Sequence, residues 1–173
     1  MTTMTTIATN TTRVELYTDG SALGNPGPAG YAFVALLLDE AGAIIDKAEY
    51  SKPSKRHVTN NRAELAAAIN GLAFISEQID SCLWPTSPIT LVSDSQYIVK
   101  GFTEWLPGWI DKGWRGSDKK PVKNRDLWEQ LSAATEGLSV AWRWVRGHDG
   151  NEWNERADRL ATAASAEAKR PGS

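Results

Sequence analysis

The sequence predicts an α/β domain built on a mixed five-stranded sheet, three antiparallel strands followed by two parallel ones, flanked by helices. Three patterns carry that prediction. Between residues 13 and 50, apolar–polar alternation is broken only by short turns, as in an antiparallel meander. Over 61–77, apolar residues recur every three or four positions. From residue 89 onward strand-like runs alternate with helical ones, which implies parallel pairing there. A chain of 173 residues, 41% of them apolar, has material for one domain with a sizeable core.

Arg13–Thr18 is the first strand, with Val14, Leu16 and Thr18 alternating with Glu15 and Tyr17. The cluster Gly24-Asn25-Pro26-Gly27-Pro28 is a turn, Ala29–Leu38 the second strand, and Gly42 turns the chain into the third, Ile44–Tyr50. Asn61–Glu77 is a helix on the spacing of Leu65, Ala68, Ile69, Leu72 and Ile75, with Asn61 and Glu64 at capping-box spacing. After a loop over Ser81–Pro88 come a short strand, Ile89–Ser93, a helix starting at Ser95, and a further short helix over 103–112. A basic loop over 113–123 precedes the helix Arg125–Glu136, the last strand Val140–Val145 and the closing helix Trp153–Ala168. The uncharged, Thr-rich residues 1–12 read as a disordered tail, not a signal peptide, and 166–173 as a frayed end.

A net charge of −2 does not announce a partner for polyanions, but the charge is uneven. Lys112, Arg115, Lys119, Lys120, Lys123 and Arg125 face a single acid, Asp118, within 112–125, and Trp105, Trp109 and Trp114 run into this stretch. Basic residues interleaved with aromatics suit a phosphate backbone, and a solvated loop with inward tryptophans accounts for the same pattern. The single cysteine, Cys82, excludes an intramolecular disulfide framework and fits a reducing, cytoplasmic compartment. No apolar run is long enough to span a bilayer, and nothing suggests a symmetric interface, so no membrane partner and a monomer are expected.

Four acids stand at chemically suggestive places: Asp19 after the first strand, Glu64 in the first turn of the long helix, Asp94 between strand and helix, and Asp158 on the shoulder of an apolar helix face. Singly, three have a plain explanation, a turn residue, a helix-dipole partner and an N-cap, while Asp158 sits less comfortably for a charge. Together they point to a site at one end of the sheet, with Asp19 and Asp94 emerging side by side if the first and fourth strands are neighbours. Gathered carboxylates need a cation, and a hard ion with oxygen ligands, Mg²⁺ or Mn²⁺, fits. Two such ions would serve in-line displacement at phosphorus with no covalent intermediate. His148, in VRGHDGNEWNER, is either an exposed loop histidine or a proton shuttle beside the metals. Thr59-Asn60-Asn61-Arg62 at the helix start offers backbone N–H groups, amides and a guanidinium for a phosphate, or simply a cap.

The segments YTDGSALGNPGPAGY, TNNRAELAAAI, SDSQYIVKGFTEW, GW followed by DKKPVKNRDLW, and WVRGH with NERADRLA closely resemble type 1 ribonuclease H in its bacterial ribonuclease HI form. They run in register from about Arg13 to about Ala164, and five motifs in order are highly specific. The resemblance implies a ribonuclease H domain over 13–165 with a basic handle. It also implies hydrolysis of the RNA strand of RNA/DNA hybrids, independent of base sequence, leaving 5′-phosphate and 3′-hydroxyl ends. By motif position Asp19, Glu64, Asp94 and Asp158 match the metal-binding carboxylates, and His148 the flexible-loop histidine. Asn25 and Gln96 match contacts to the RNA strand. Thr59, Asn60 and Arg62 match a pocket for a DNA-strand phosphate, and Trp105, Trp109, Lys119, Lys120 and Lys123 belong to the handle along the DNA strand. Departures are Asp149 directly after His148, acids at Asp111 and Asp118 in the handle, and extra tryptophans at Trp84 and Trp153. Trp84 is expected to pack and Trp153 to cap the His148 loop. A non-catalytic hybrid-binding module is the alternative, and the complete carboxylate set argues against it.

Overall fold

Five strands form one sheet in the order β3-β2-β1-β4-β5, with β1 spanning Arg13–Ala22, β2 Gly27–Leu38, β3 Ile44–Val58, β4 Ile89–Ser93 and β5 Val140–Trp144. This is a computed structural model that describes residues 11–171. The tail expected over 1–12 therefore lies, for residues 1–10, outside the described residues, as do the last two residues of the expected C-terminal end. β1–β2 and β2–β3 pair antiparallel, β1–β4 and β4–β5 parallel, as the sequence predicts. Helices follow as α1 (Asn60–Asp80), α2 (Gln96–Lys100), α3 (Leu106–Asp111), α4 (Arg125–Thr135) and α5 (Glu152–Lys169).

Four boundaries differ from the sequence reading. β1 continues past Asp19 to Ala22, because its antiparallel partner β2 runs alongside as far as Ala22↔Ala29. β3 extends from Tyr50 to Val58, carrying Pro53 opposite Gly30; an edge strand tolerates a proline because its outward N–H has no partner to lose. The two helices expected from Ser95 and over 103–112 are one run joined by a π turn, Gly101–Trp105. Pro107 has no N–H for the Thr103 carbonyl, and the Leu106 N–H reaches back five residues to Gly101, which is how the turn widens. α5 continues to Lys169 and takes up half of the segment expected to fray.

Side chains alternate between two faces of the sheet. Val14, Leu16, Leu91 and Ile89 pack with Leu65, Leu72 and Ile75 of α1 and with Trp128 and Leu131 of α4. Tyr17, Val34, Leu36 and Val92 meet Ala157 of α5 on the opposite face, where Trp153 and Leu160 are partly buried. Burying each of these aliphatic side chains contributes about 1.5–3 kcal/mol. Trp84 packs as expected: it is buried, edge-on to Phe74, and its indole N–H donates to Asp46 at 2.9 Å. Trp153 joins the second cluster and lies under the Lys47 ammonium, 5.2 Å from its ring.

The basic loop after α3 is tied by its own backbone. Arg115 bridges Pro121, Gly116 N–H donates to Lys120 at 2.9 Å, and Val122 N–H to Trp114 at 3.0 Å. No helix among the described residues is long and apolar enough to cross a membrane.

Candidate active site

Parallel register places the first two carboxylates. The β1–β4 ladder ends at Tyr17↔Val92, and two further residues along each strand are Asp19 and Asp94. Asp19 is still held from the other side by β2, opposite Ala32, so its backbone is fixed where the β4 edge opens. Glu64 comes from α1, which presses on β1 at Gly20: a Cβ there would collide with the backbone of Ala63 and Glu64. The Gly20 backbone favours the charged form of the Glu64 carboxylate, against the effect of burial. The capping box expected from Asn61 and Glu64 does not form. Thr59 is the N-cap, its Oγ1 accepting from Arg62 N–H at 3.3 Å, and Glu64 turns inward at 8% exposure.

Nor is Asp94 an N-cap. Ser95 caps α2 through its Oγ, accepting from Ile98 N–H at 3.3 Å, and this leaves the Asp94 carboxylate free for the site. Asp19, Glu64 and Asp94 each present an oxygen within 4.8 Å of the others. Asp158, on α5, lies outside that trio, but its charge acts on both Asp19 and Asp94. Burial, then the Asp94 charge, pushes Asp19 up to about 8. Burial, then Asp19, drives Glu64 well above the usual carboxylate range. Burial raises Asp94 too, opposed by a hydrogen bond from Asn154 and by His148. Without a countercharge the cluster holds protons. Hard oxygen donors at this spacing, with Glu64 Oε2 buried and unpartnered among the described residues, suit a divalent cation that replaces those protons.

The β5–α5 connection closes over Asp94. Trp144 Nε1 donates to the Asp94 carbonyl at 3.0 Å, and Val145 N–H to Ser93 at 3.0 Å. A Cβ on Gly147 would lie 2.9 Å from Asp94 Oδ2, so the loop rests on that carboxylate. His148, next in the chain, is exposed, has a left-handed φ of 56° and is near enough for its charge to act on Asp94. Asn154 and Gly147 are parts of the site that sequence reasoning left unassigned. Asn154 stood in a quoted motif, but nothing in its spacing announces burial.

The expected substrate contacts fall into three groups. Asn25 Oδ1 accepts from Asn60 N–H at 3.1 Å, and Asn60 Oδ1 from Ala22 N–H at 2.8 Å, so the β1–β2 turn is stitched to the start of α1 beside Thr59. Arg62 is not free: its guanidinium is forked onto Asp126 and also donates to Asn124. Gln96 is exposed at the start of α2, directly after Asp94-Ser95. On the far side Trp105 is 39% exposed and 6.0 Å from Trp109, which packs edge-on against buried Trp128. Lys119, Lys120 and Lys123 project from the loop beyond. Trp109 and Trp114 pack on the core, as the inward-tryptophan reading has it, and Trp105 is left open.

Residues 11–166 match the family RNase H. The chain belongs to the ribonuclease H family. It is 45% identical over 159 residues to the ribonuclease H of Treponema pallidum, covering 88% of this chain and 90% of that protein. Identity is 48% over 155 residues to the ribonuclease H of Lachnoclostridium phytofermentans, with 88% and 92% covered. Among solved structures, LC9-RNase H1, described as a type 1 RNase H with the type 2 active-site motif, superposes with a TM-score of 0.77 at 31% identity, over 94% of this chain and 76% of that one. RNase H1 of Halobacterium salinarum gives 0.58 at 29%, over 90% and 98%. The fold and the ribonuclease H enzyme class expected from the sequence are thereby established, and family membership supports cleavage of the RNA strand of RNA/DNA hybrids.

Proposed function

We propose that this ribonuclease H is a sequence-independent endonuclease that hydrolyses the RNA strand of RNA/DNA hybrids, leaving 5′-phosphate and 3′-hydroxyl ends. The observation that carries the reading is the clustering of buried Asp19 and Glu64 with half-buried Asp94 at the open edge of the β1–β4 ladder. Two Mg²⁺ ions, or Mn²⁺ in their place, would supply there the Lewis acidity that activates a water and stabilises the leaving 3′-oxygen. Asp19, Glu64, Asp94 and Asp158 hold and orient that charge; no serine or cysteine is called on as a nucleophile. The His148 imidazole, on the loop that rests on Asp94, accepts or returns a proton at the reacting phosphate. Asn25 and Gln96 read the 2′-hydroxyls of the RNA strand. Thr59, Asn60 and Arg62 take a phosphate of the DNA strand, and Trp105, Trp109, Lys119, Lys120 and Lys123 lie along its continuation. Backbone and sugar contacts of this kind account for sequence independence. The lone exposed Cys82 supports a reducing, cytoplasmic setting, and the same reading takes the enzyme to act as a monomer.

The test is cleavage of end-labelled RNA presented single-stranded, paired to RNA and paired to DNA, with Mg²⁺ and then with EDTA. Metal-dependent cutting of only the DNA-paired strand is expected, with product ends as stated. Hybrid binding without cutting in Mg²⁺ and Mn²⁺ would overturn the reading in favour of a binding module.

A further inference from the structure

Four buried polar side-chain atoms lack a partner among the described residues, and two of them, Glu64 Oε2 and Asn154 Oδ1, belong to the carboxylate cluster. Asn154 is 2% exposed in the first turn of α5, its backbone N–H bonded to the capping Asn151 side chain at 3.0 Å. Its Nδ2 donates to Asp94 Oδ2 at 3.4 Å. That bond sets the amide's orientation, because the reversed amide would put oxygen against a carboxylate oxygen. The Oδ1 is therefore left as a buried acceptor with no donor among the described residues, and buried acceptors are almost always satisfied. Four residues further along the same helix face is Asp158, whose charge acts on Asp19 and Asp94. α5 thus brings an acid and a neutral amide to the cluster from one face.

We propose that Asn154 is a positioning residue of the cation site: its amide N–H holds Asp94 Oδ2, and its Oδ1 accepts a hydrogen bond from the hydration shell of a divalent cation held by the carboxylates. The inference rests on reading that cluster as a divalent-cation site. A neutral amide suits the position, since it orients Asp94 without adding a further negative charge to a crowded group. Outer partners of this kind tune affinity through the ligands they orient.

Calorimetric titration of the full chain with MgCl₂ tests it, on wild type, Asn154→Ala and Asn154→Asp, alongside thermal melting and kcat and KM on a hybrid. Asn154→Ala is expected to weaken Mg²⁺ binding by about 10–100-fold and to lower kcat while KM for the hybrid stays close to wild type. Asn154→Asp, which keeps an oxygen acceptor but loses the N–H that holds Asp94, is expected to recover Mg²⁺ affinity only in part. Equal Mg²⁺ affinity in wild type and Asn154→Ala overturns the inference alone. Equal losses in the alanine and aspartate variants also overturn it, since the acceptor then does not matter. A wild type that binds no Mg²⁺ removes the cation site itself and the inference with it. Should Asn154→Ala fail to fold, the side-chain amide resonances of Asn154 in the ¹⁵N-labelled wild type decide the matter. They are expected to shift with the same midpoint as the calorimetric curve, and resonances unmoved at Mg²⁺ saturation overturn the proposal.

Discussion

The guanidinium of Arg62 is forked onto the carboxylate of Asp126, Nη1 at 3.0 Å from Oδ1 and Nη2 at 2.8 Å from Oδ2, with Asn124 accepting a third bond at 3.2 Å. The hydrogen bonds between the two raise Arg62 and lower Asp126 relative to their ordinary values. With side-chain exposures of 34% and 57% the pair contributes only ~0–1 kcal/mol to stability. It does set the charge at the proposed phosphate pocket, where Asp126 cancels the cation. Asp126→Asn is expected to tighten hybrid binding about several-fold at low salt and to steepen its salt dependence by about one counterion, and Arg62→Ala to do the reverse. Fluorescence anisotropy across a salt series checks both. An unchanged Kd and slope in Arg62→Ala would take Arg62 out of the pocket.

Asp19 couples activity to stability with opposite signs. Its ordinary value is 3.8 and the folded one about 8, so between these the folded state binds more protons than the unfolded one. The cation-free protein therefore has the full stability of this group below the ordinary value and loses it as pH rises toward about 8. Asp19→Asn removes the loss. The variant is expected to melt above cation-free wild type near pH 8 and level with it below the ordinary carboxylate range, while cleaving nothing at any pH. Each ~1 kcal/mol of relieved repulsion moves Tm by about 2–4 °C in a domain of this size. Adding Mg²⁺ should raise the wild-type Tm and leave the variant's unchanged. Melting curves across pH with and without Mg²⁺ read this directly.

The five strands, antiparallel then parallel, and the acids that cluster at their end were legible because alternation and element boundaries are written locally. Alternation marks a strand, and Glu64 and Asp94 stand beside a helix start and a strand end, while Asp19 lies inside β1 where its β4 partner has ended. The length of β1 was hidden because Gly20 and Ser21 look like a turn when only the chain itself is read, whereas β2 holds them in the ladder as far as Ala22. Pro53 hid the second half of β3 for the same reason, its tolerance depending on an edge position that no local pattern states. Arg62 and Asp126 are 64 residues apart, and Asn154 and Asp94 are 60, so pairing them requires the packed fold. Roles made by contact between distant segments leave no spacing signal, and this is why the guanidinium read as free and Asn154 went unassigned.

Gly101 carries a prediction about the core. A Cβ there would overlap the Trp128 ring, reaching 2.6 Å from Cζ2. The ring cannot retreat easily: it is fully buried and its Nε1 donates to Tyr97 Oη at 3.0 Å. Alanine gains up to about 1 kcal/mol over glycine in helix propensity, but overpacking costs about 1–3 kcal/mol, so Gly101→Ala is expected to be destabilising on balance. Urea denaturation followed by tryptophan fluorescence measures it. A midpoint at or above wild type would mean that the π turn absorbs the added methyl.

Gly147 carries the sharpest prediction about catalysis. Alanine there brings a methyl to 2.9 Å from Asp94 Oδ2, and Asp94 is already held from two sides, its carbonyl by Trp144 and its Oδ2 by Asn154. Either the carboxylate shifts or the loop bearing His148 lifts, and each displaces a group to which the proposed function gives a role at the reacting phosphate. Displacements on the order of 1 Å at such groups cost up to about 100-fold in rate, whereas a change in a loop outside the hydrophobic core moves stability by only about 0.5 kcal/mol. Gly147→Ala should therefore lower kcat by about 10–100-fold with Tm and the hybrid KM near wild type. Steady-state cleavage together with a melting curve separates the cases. A wild-type kcat would show that the loop yields without disturbing Asp94, and the close approach at Gly147 would then be packing alone.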